Sequence, residues 1–402
     1  MTEANIMIAS VSVIPVRVIK TLPSGYQIPD PLPWAALAGP LAAAEDSLAR
    51  LDERLAKSPI RDGFVARTHY TDAAACLWLE GELVHLDDLV LHDAHMDIRA
   101  PTHELTRAHA VLRARRRIAD AKPDWALSPA GLAGLRGRGG QTDGEGKGNR
   151  KEGEGSFGGE DEDGDQAAAD LDGPLGVIAT DPHLAAAFAA VDAANARAEW
   201  TLAGEGRTRP DLDPLVYDPD WDEDARLDAW RAVVDETRAL PPTLAAAIVT
   251  EAWDAIAPLQ HTPWLGRMLA AALLRERGKT RWHLPCLHDG LKAIPRERRR
   301  PREYAARLAV QIEAMTAAAE SGLKHHDRWL NQRTLLARKL DGRRATSRLP
   351  ALLDYVLARP VVSAGMIADE LGITPRAAQN LVAELGLREA TGRRRYRAWG
   401  IA

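Results

Sequence analysis

Residues 363–386, SAGMIADELGITPRAAQNLVAELG, decide how the chain is read. They hold two short amphipathic segments separated by Gly372-Ile373. Ser363 stands where a helix N-cap is wanted, because its side-chain oxygen can accept from a backbone N–H left unpaired in the first turn. Ile367, Ala368 and Leu371 then share one face of a helix over 364–371. Thr374 repeats the capping arrangement, and Pro375 suits a first helical position, where no N–H is needed. Ala378, Leu381, Val382 and Leu385 give the following helix a buried face and leave Arg376, Gln379 and Asn380 for solvent. A further short helix is predicted just before, over 349–357.

A small residue where two helices cross (Ala368), a glycine in the turn and a branched residue after it resemble a bacterial helix-turn-helix. The resemblance implies that the second helix enters the major groove of double-stranded DNA. There Arg376 can read guanine, and Gln379 or Asn380 can read adenine, through paired hydrogen bonds; Thr374, at the helix start, is the fourth candidate contact. The tail LREATGRRRYRAW (387–399) resembles a wing, with Thr391-Gly392 turning between two short strands. Its Arg393, Arg394, Arg395 and Arg397 can meet phosphates or a minor groove. Protein docking or dimerisation through the same module is the alternative.

The remaining sequence is consistent with a helical protein. Its 402 residues are 46% hydrophobic and 27% charged, enough for two or three domains with real cores. The net charge of −5 hides an asymmetry, since residues 291–402 hold about 22 Lys and Arg against about 11 Asp and Glu. A basic end on an acidic chain points to one polyanion-binding module; a solvated arginine-rich surface is the plain alternative. The two cysteines, Cys76 and Cys286, form no CxxC unit and fit a reducing cytoplasm. No apolar run reaches membrane-spanning length and no secretion signal is expected.

Residues 7–19 read as an edge strand, with Pro15 arguing against a central place. Helical patterns run over 34–57, 71–79, 86–91 and 104–119, with Gly81 closing the second. Residues 136–170 exchange apolar side chains for glycine and charge and read as a disordered linker. Helices are expected again at 182–198, 223–240, 243–259, 265–277, 301–321 and 326–340. The expected organisation is an N-terminal helical region over 1–135, a linker over 136–172, a helical core over 173–345 and the winged helix-turn-helix over 346–402.

Between two of these helices lies AIAPLQHTPWLGR (255–267). Its layout, a helix, a Pro-bearing turn, then Gly266-Arg267 opening another helix, resembles the Fic family of helical proteins, which usually transfer AMP from ATP to a hydroxyl. Ile256-Ala-Pro-Leu259 lies where that family has Ile-His-Pro-Phe, and Gly266-Arg267 lies where its second Gly-Arg stands. Leu284-Pro285, Tyr304, Leu308 and Trp329 continue the likeness. Upstream, 71–88 resembles the segment carrying the family's inhibitory helix, with Glu80-Gly81 present and Cys76 in place of Ser or Thr.

The departures argue against catalysis. Ala257 stands where the resemblance places the general base, and it cannot take a proton. The loop has no carboxylate for Mg²⁺, and Thr262, Pro263 and Trp264 replace the phosphate-wrapping glycines. The alternative is a divergent adenylyltransferase with His261 as base. The resemblance also implies a partly buried Glu80–Arg267 ion pair that locks two helices.

Other candidates are weaker. HDAHMD (92–97) has metal-compatible residue types without further ligands. RERRRPR (296–302) can contact DNA phosphates or form a charged loop. Residues 211–224 lack calcium-loop spacing. The expectation is thus a mainly α protein, a Fic-like helical core followed by a small winged helix-turn-helix domain. It implies a transcriptional regulator, with duplex DNA and a second copy of the chain as partners and with no cofactor, metal or membrane. A protein-interaction scaffold is the remaining alternative.

Overall fold

The computed structural model describes residues 26–96, 100–136, 221–340, 347–390 and 397–401. The expected strand at 7–19, the linker, the helical pattern at 182–198 and Arg393, Arg394 and Arg395 lie outside them. The described residues up to 135 and from 221 onward contribute to one compact unit. In chain order its first helices are α1 (Trp34–Ala56), α2 (Arg61–Leu79), α3 (Leu86–Asp93), α4 (His103–Asp120) and α5 (Pro129–Leu135). There follow α6 (Glu223–Glu236), α7 (Pro242–Ile256), α8 (Leu265–Glu276), α9 (Leu287–Ala293) and α10 (Tyr304–Ala337). The C-terminal elements are α11 (Leu349–Leu357), β1 (Val362–Ser363), α12 (Ala364–Leu371), α13 (Pro375–Leu385), β2 (Arg388–Glu389) and β3 (Ala398–Gly400).

α10 organises the core. Its 34 residues replace the two helices expected at 301–321 and 326–340. Leu308, Ile312, Met315, Ala319, Gly322, His326 and Trp329 recur at alternating steps of four and three, a continuous seam along one face. Gly322 does not end a helix, because its missing Cβ is what lets α1 approach. A Cβ there would lie 2.7 Å from Leu51 Cδ2. On α9, Gly290 serves the same purpose against the Ala314 carbonyl. α1 returns Leu37, Ala44, Leu48, Leu51 and Leu55, all buried, to the seam. Each fully buried leucine contributes about 2 kcal/mol.

α7 is buried nearly all round, as its Thr-Leu-Ala-Ala-Ala-Ile-Val sequence dictates. Pro242 opens it without leaving an N–H unpaired. Its Trp253 ring stands edge-on to Trp230 at 5.2 Å, and Trp230 Nε1 donates to the Val249 carbonyl at 2.9 Å.

A buried polar knot joins α2, α4 and α9. The Asp72 carboxylate accepts from Arg115 Nη1 at 2.8 Å, from the backbone N–H groups of His288 and Asp289, and from His288 Nδ1 at 3.0 Å. Arg115 also donates to the carbonyls of Leu284 and Pro285. Burial alone would push the Asp72 carboxyl up, yet the Arg115 charge, His288 and the Asp289 N–H hold it down at about 2. His288 Nε2 reaches the Trp264 carbonyl at 3.1 Å, so the loop before α8 hangs on the same knot.

α2 begins ten residues earlier than its expected start at Thr71. The early turns carry buried Arg67, His69 and Tyr70, polar residues that blur the helical pattern. They are buried because they meet other elements. Tyr70 donates to Asp93 at 2.5 Å, and Arg67 reaches the C-terminal domain.

Candidate nucleic-acid interface

The described residues of 349–401 form three helices and a small sheet whose strand order is β1-β3-β2, both pairings antiparallel. Ser363 caps α12 by accepting from the Met366 N–H at 3.2 Å. Gly372 ends that helix at φ +62°, a left-handed conformation that glycine adopts without strain, and the Ile373 N–H then returns to the Ala368 carbonyl. Thr374 caps α13 by accepting from the Ala377 N–H at 3.2 Å, with Pro375 at the first position. Ala378, Val382 and Leu385 are buried against α11 and α12, while Leu381 is half-buried.

The opposite face of α13 is polar. Arg376, Gln379 and Asn380 are exposed together with Thr374, and their spacing places them within one turn of each other. Among the described residues no protein group bonds the side chains of Arg376, Gln379 or Asn380. On the hairpin, Arg397 is exposed but engaged. Its Nε and Nη2 bond Glu389 Oε2 at 2.8 and 2.7 Å, and its guanidinium lies 5.5 Å from the centre of the Trp399 ring. A phosphate at Arg397 must therefore compete with Glu389.

The helix-turn-helix is fixed to the helices behind it. The buried Arg67 guanidinium stacks on Trp329 at 4.8 Å and donates to the carbonyls of Ile401 at 3.1 Å and Pro360 at 3.5 Å. Ser363 Oγ bonds Met96 Sδ at 3.1 Å. Lys339 Nζ bonds the Leu385 carbonyl at 2.8 Å, at the end of α13 where a cation complements the helix dipole. The local sequence gives no sign of Lys339, because its partner lies 46 residues away.

The loop before α8 is arranged differently from expectation. Ala257 ends α7 at φ +48°, and Thr262 accepts from the Leu265 N–H through its carbonyl. His261 is exposed. The expected Glu80–Arg267 pair is not formed. Glu80 is taken by Arg107, which also holds Glu82, because α4 packs directly on α2. Arg267 turns to Asp254, on the last turn of α7, at 3.0 Å. Gly266 is required by packing, since a Cβ there would fall inside the Trp253 indole. Cys76 is buried, and burial pushes its thiol up, far from a reactive thiolate.

Of the 92–97 segment Asp97 lies outside the described residues, and among the described ones no group of three or more metal-ligating side chains forms. Asp93 is occupied by Tyr70, by Arg116 at 2.7 Å and by His109 at 3.2 Å, and His92 stacks edge-on against His109. No described helix is long and apolar enough to cross a membrane.

Fold and site thus define a mainly helical protein with a C-terminal helix-turn-helix domain. Residues 349–402 match the family described as an HTH DNA binding domain. Residues 215–341 match a second family, described as a protein of unknown function, DUF1612. Over 399 residues the chain is 48% identical to the "Uncharacterized protein y4cF" of Sinorhizobium fredii, an alignment covering 91% of this chain and 97% of that one. The chain belongs to the family of that protein.

Proposed function

We propose that the protein binds double-stranded DNA sequence-specifically through α13 and acts as a transcriptional regulator. One observation carries this reading: a capped, well-packed helix presents Arg376, Gln379 and Asn380 to solvent with no protein partner among the described residues. Side chains of these types, on one face and uncommitted, suit paired hydrogen bonds to base edges. In this reading Thr374 meets a phosphate at the helix N-terminus, and the hairpin acts as a wing through Arg393, Arg394, Arg395 and Arg397. A second copy of the chain reads a paired half-site.

The helical core, in the same reading, is a catalytically silent Fic-like domain that serves sensing, dimerisation or partner binding. Ala257 at the base position, a loop without a carboxylate and Arg267 committed to Asp254 support this. The test is selection of bound fragments from a genomic DNA library by the full-length protein at two salt concentrations. A defined site that survives the higher salt is expected. Uniform binding erased by salt, or none, would reduce the domain to a docking module. Labelling of a target from ATP that is lost in His261→Ala would overturn the silent core.

A further inference from the structure

The basic turn between α9 and α10 lies apart from the helix-turn-helix, and its geometry is unlike that of a solvated charged surface. We propose that Lys292, Arg296, Arg300 and Arg302, beside Trp78, hold the phosphates of duplex DNA flanking the site read by α13. This inference rests on the DNA-binding reading above.

Residues 292–302, KAIPRERRRPR, carry six cations and one carboxylate in a chain whose net charge is −5. A local field of that sign on an acidic protein steers a polyanion to one place.

The cations of the turn are held in two ways. Arg299 is spent inside the turn, where Nε donates to the Leu291 and Ile294 carbonyls at 3.2 and 2.8 Å and Nη2 to the Lys292 carbonyl at 2.9 Å. Its guanidinium lies 4.7 Å from the Trp78 ring centre and the Lys292 ammonium 5.3 Å. Arg298 is paired with Glu313. The turn is therefore fixed by two of its arginines and an aromatic ring, while Arg296, Arg300 and Arg302 are exposed, and among the described residues no carboxylate pairs with them. Arg50, Arg231 and Arg238, by contrast, sit on carboxylates one helical turn away, at Asp46, Asp228 and Asp235. Because the turn backbone is already held, binding phosphates costs only the rotamer freedom of the exposed side chains.

Trp78 lies on α2, the helix whose Arg67 holds the helix-turn-helix. They are eleven positions apart, a rise of about 16 Å along the helix, less than one turn of duplex DNA at about 34 Å. The inference places the turn against DNA that continues past the site read by α13. The turn contains no Asn or Gln, so its contacts go to the backbone and carry no sequence information.

The test uses the full-length protein and the site recovered by selection, in a duplex of about 40 bp and in one trimmed to about 8 bp around the half-site, which ends about 14 Å from its centre. Fluorescence anisotropy gives the dependence of log K on log salt for each. The Arg296→Gln, Arg300→Gln, Arg302→Gln variant is expected to lower the slope on the long duplex by about 2.7, one phosphate per arginine removed. Between 50 and 200 mM salt the ratio of wild-type to variant affinity then shrinks about forty-fold. Slopes on the short duplex stay equal, and the melting temperature is unchanged because the three side chains are exposed. Equal slopes on the long duplex overturn the inference while leaving sequence reading by α13 intact. A slope difference confined to a single strand of the same length names the wrong nucleic acid and also overturns it. Wild type that binds neither duplex sinks the DNA-binding reading, and this inference with it.

Discussion

The knot around Asp72 and the outer face of α13 use polar side chains in opposite ways. Asp72 and Arg115 are fully buried, His288 nearly so, and the Asp72 carboxylate is met from four directions. On α13, Arg376, Gln379 and Asn380 stand in water without a protein partner among the described residues. Buried charge is tolerable only when paired, so the first arrangement holds α2, α4 and α9 in one geometry. Exposed polar groups on a rigid helix contribute little to stability and remain available to a ligand. Substitutions in the two regions should therefore part cleanly, the first changing stability and the second changing recognition.

The largest expected effect is at the knot. Asp72→Asn leaves Arg115 buried without its counter-charge and should cost about 3–5 kcal/mol, read by urea denaturation. The acid limb has a definite sign. The Asp72 carboxyl is held at about 2 when folded against an ordinary 3.8, so its stabilisation is complete above about pH 4 and is lost as the pH falls toward 2. A variant that unfolds at the wild-type urea midpoint would show that the knot is not a structural centre. Next is Gly266→Ala, whose methyl meets the Trp253 indole and should cost about 1–3 kcal/mol by overpacking. Wild-type stability in that variant would mean that the loop before α8 can move away from α7. Thr374→Ala removes the α13 cap and should cost about 1 kcal/mol, seen in thermal melting. The smallest effect is Glu389→Ala, which frees Arg397 and should change stability by less than about 1 kcal/mol. It should tighten DNA binding at low salt, and unchanged affinity would remove Arg397 from the interface.

The same contrast explains what could be read from the sequence. α12 and α13 are legible to the residue because their signals are local: Ser363 and Thr374 cap, Pro375 opens, Gly372 turns, and the apolar residues keep one period. α1 is legible for the same reason. The first turns of α2 are not, because Arg67 and His69 look like surface residues until the Ile401 carbonyl and the surrounding helices bury them. The continuity of α10 is hidden by Gly322, which punctuates the sequence but serves the approach of Leu51. Pairing partners are the least legible. Glu80 and Arg267 are expected to pair with each other, yet Arg107 takes the first and Asp254 the second.

The central claim is that α13 reads bases through its uncommitted side chains. The direct measurement is the affinity of Arg376→Ala, Gln379→Ala and Asn380→Ala, each alone, for the selected site and for sites changed one base pair at a time. Each substitution is expected to cost about 1–3 kcal/mol on the selected site and to relax discrimination at one base pair, with unfolding stability within about 0.5 kcal/mol of wild type. Equal losses on every sequence, or no loss at all, would contradict it.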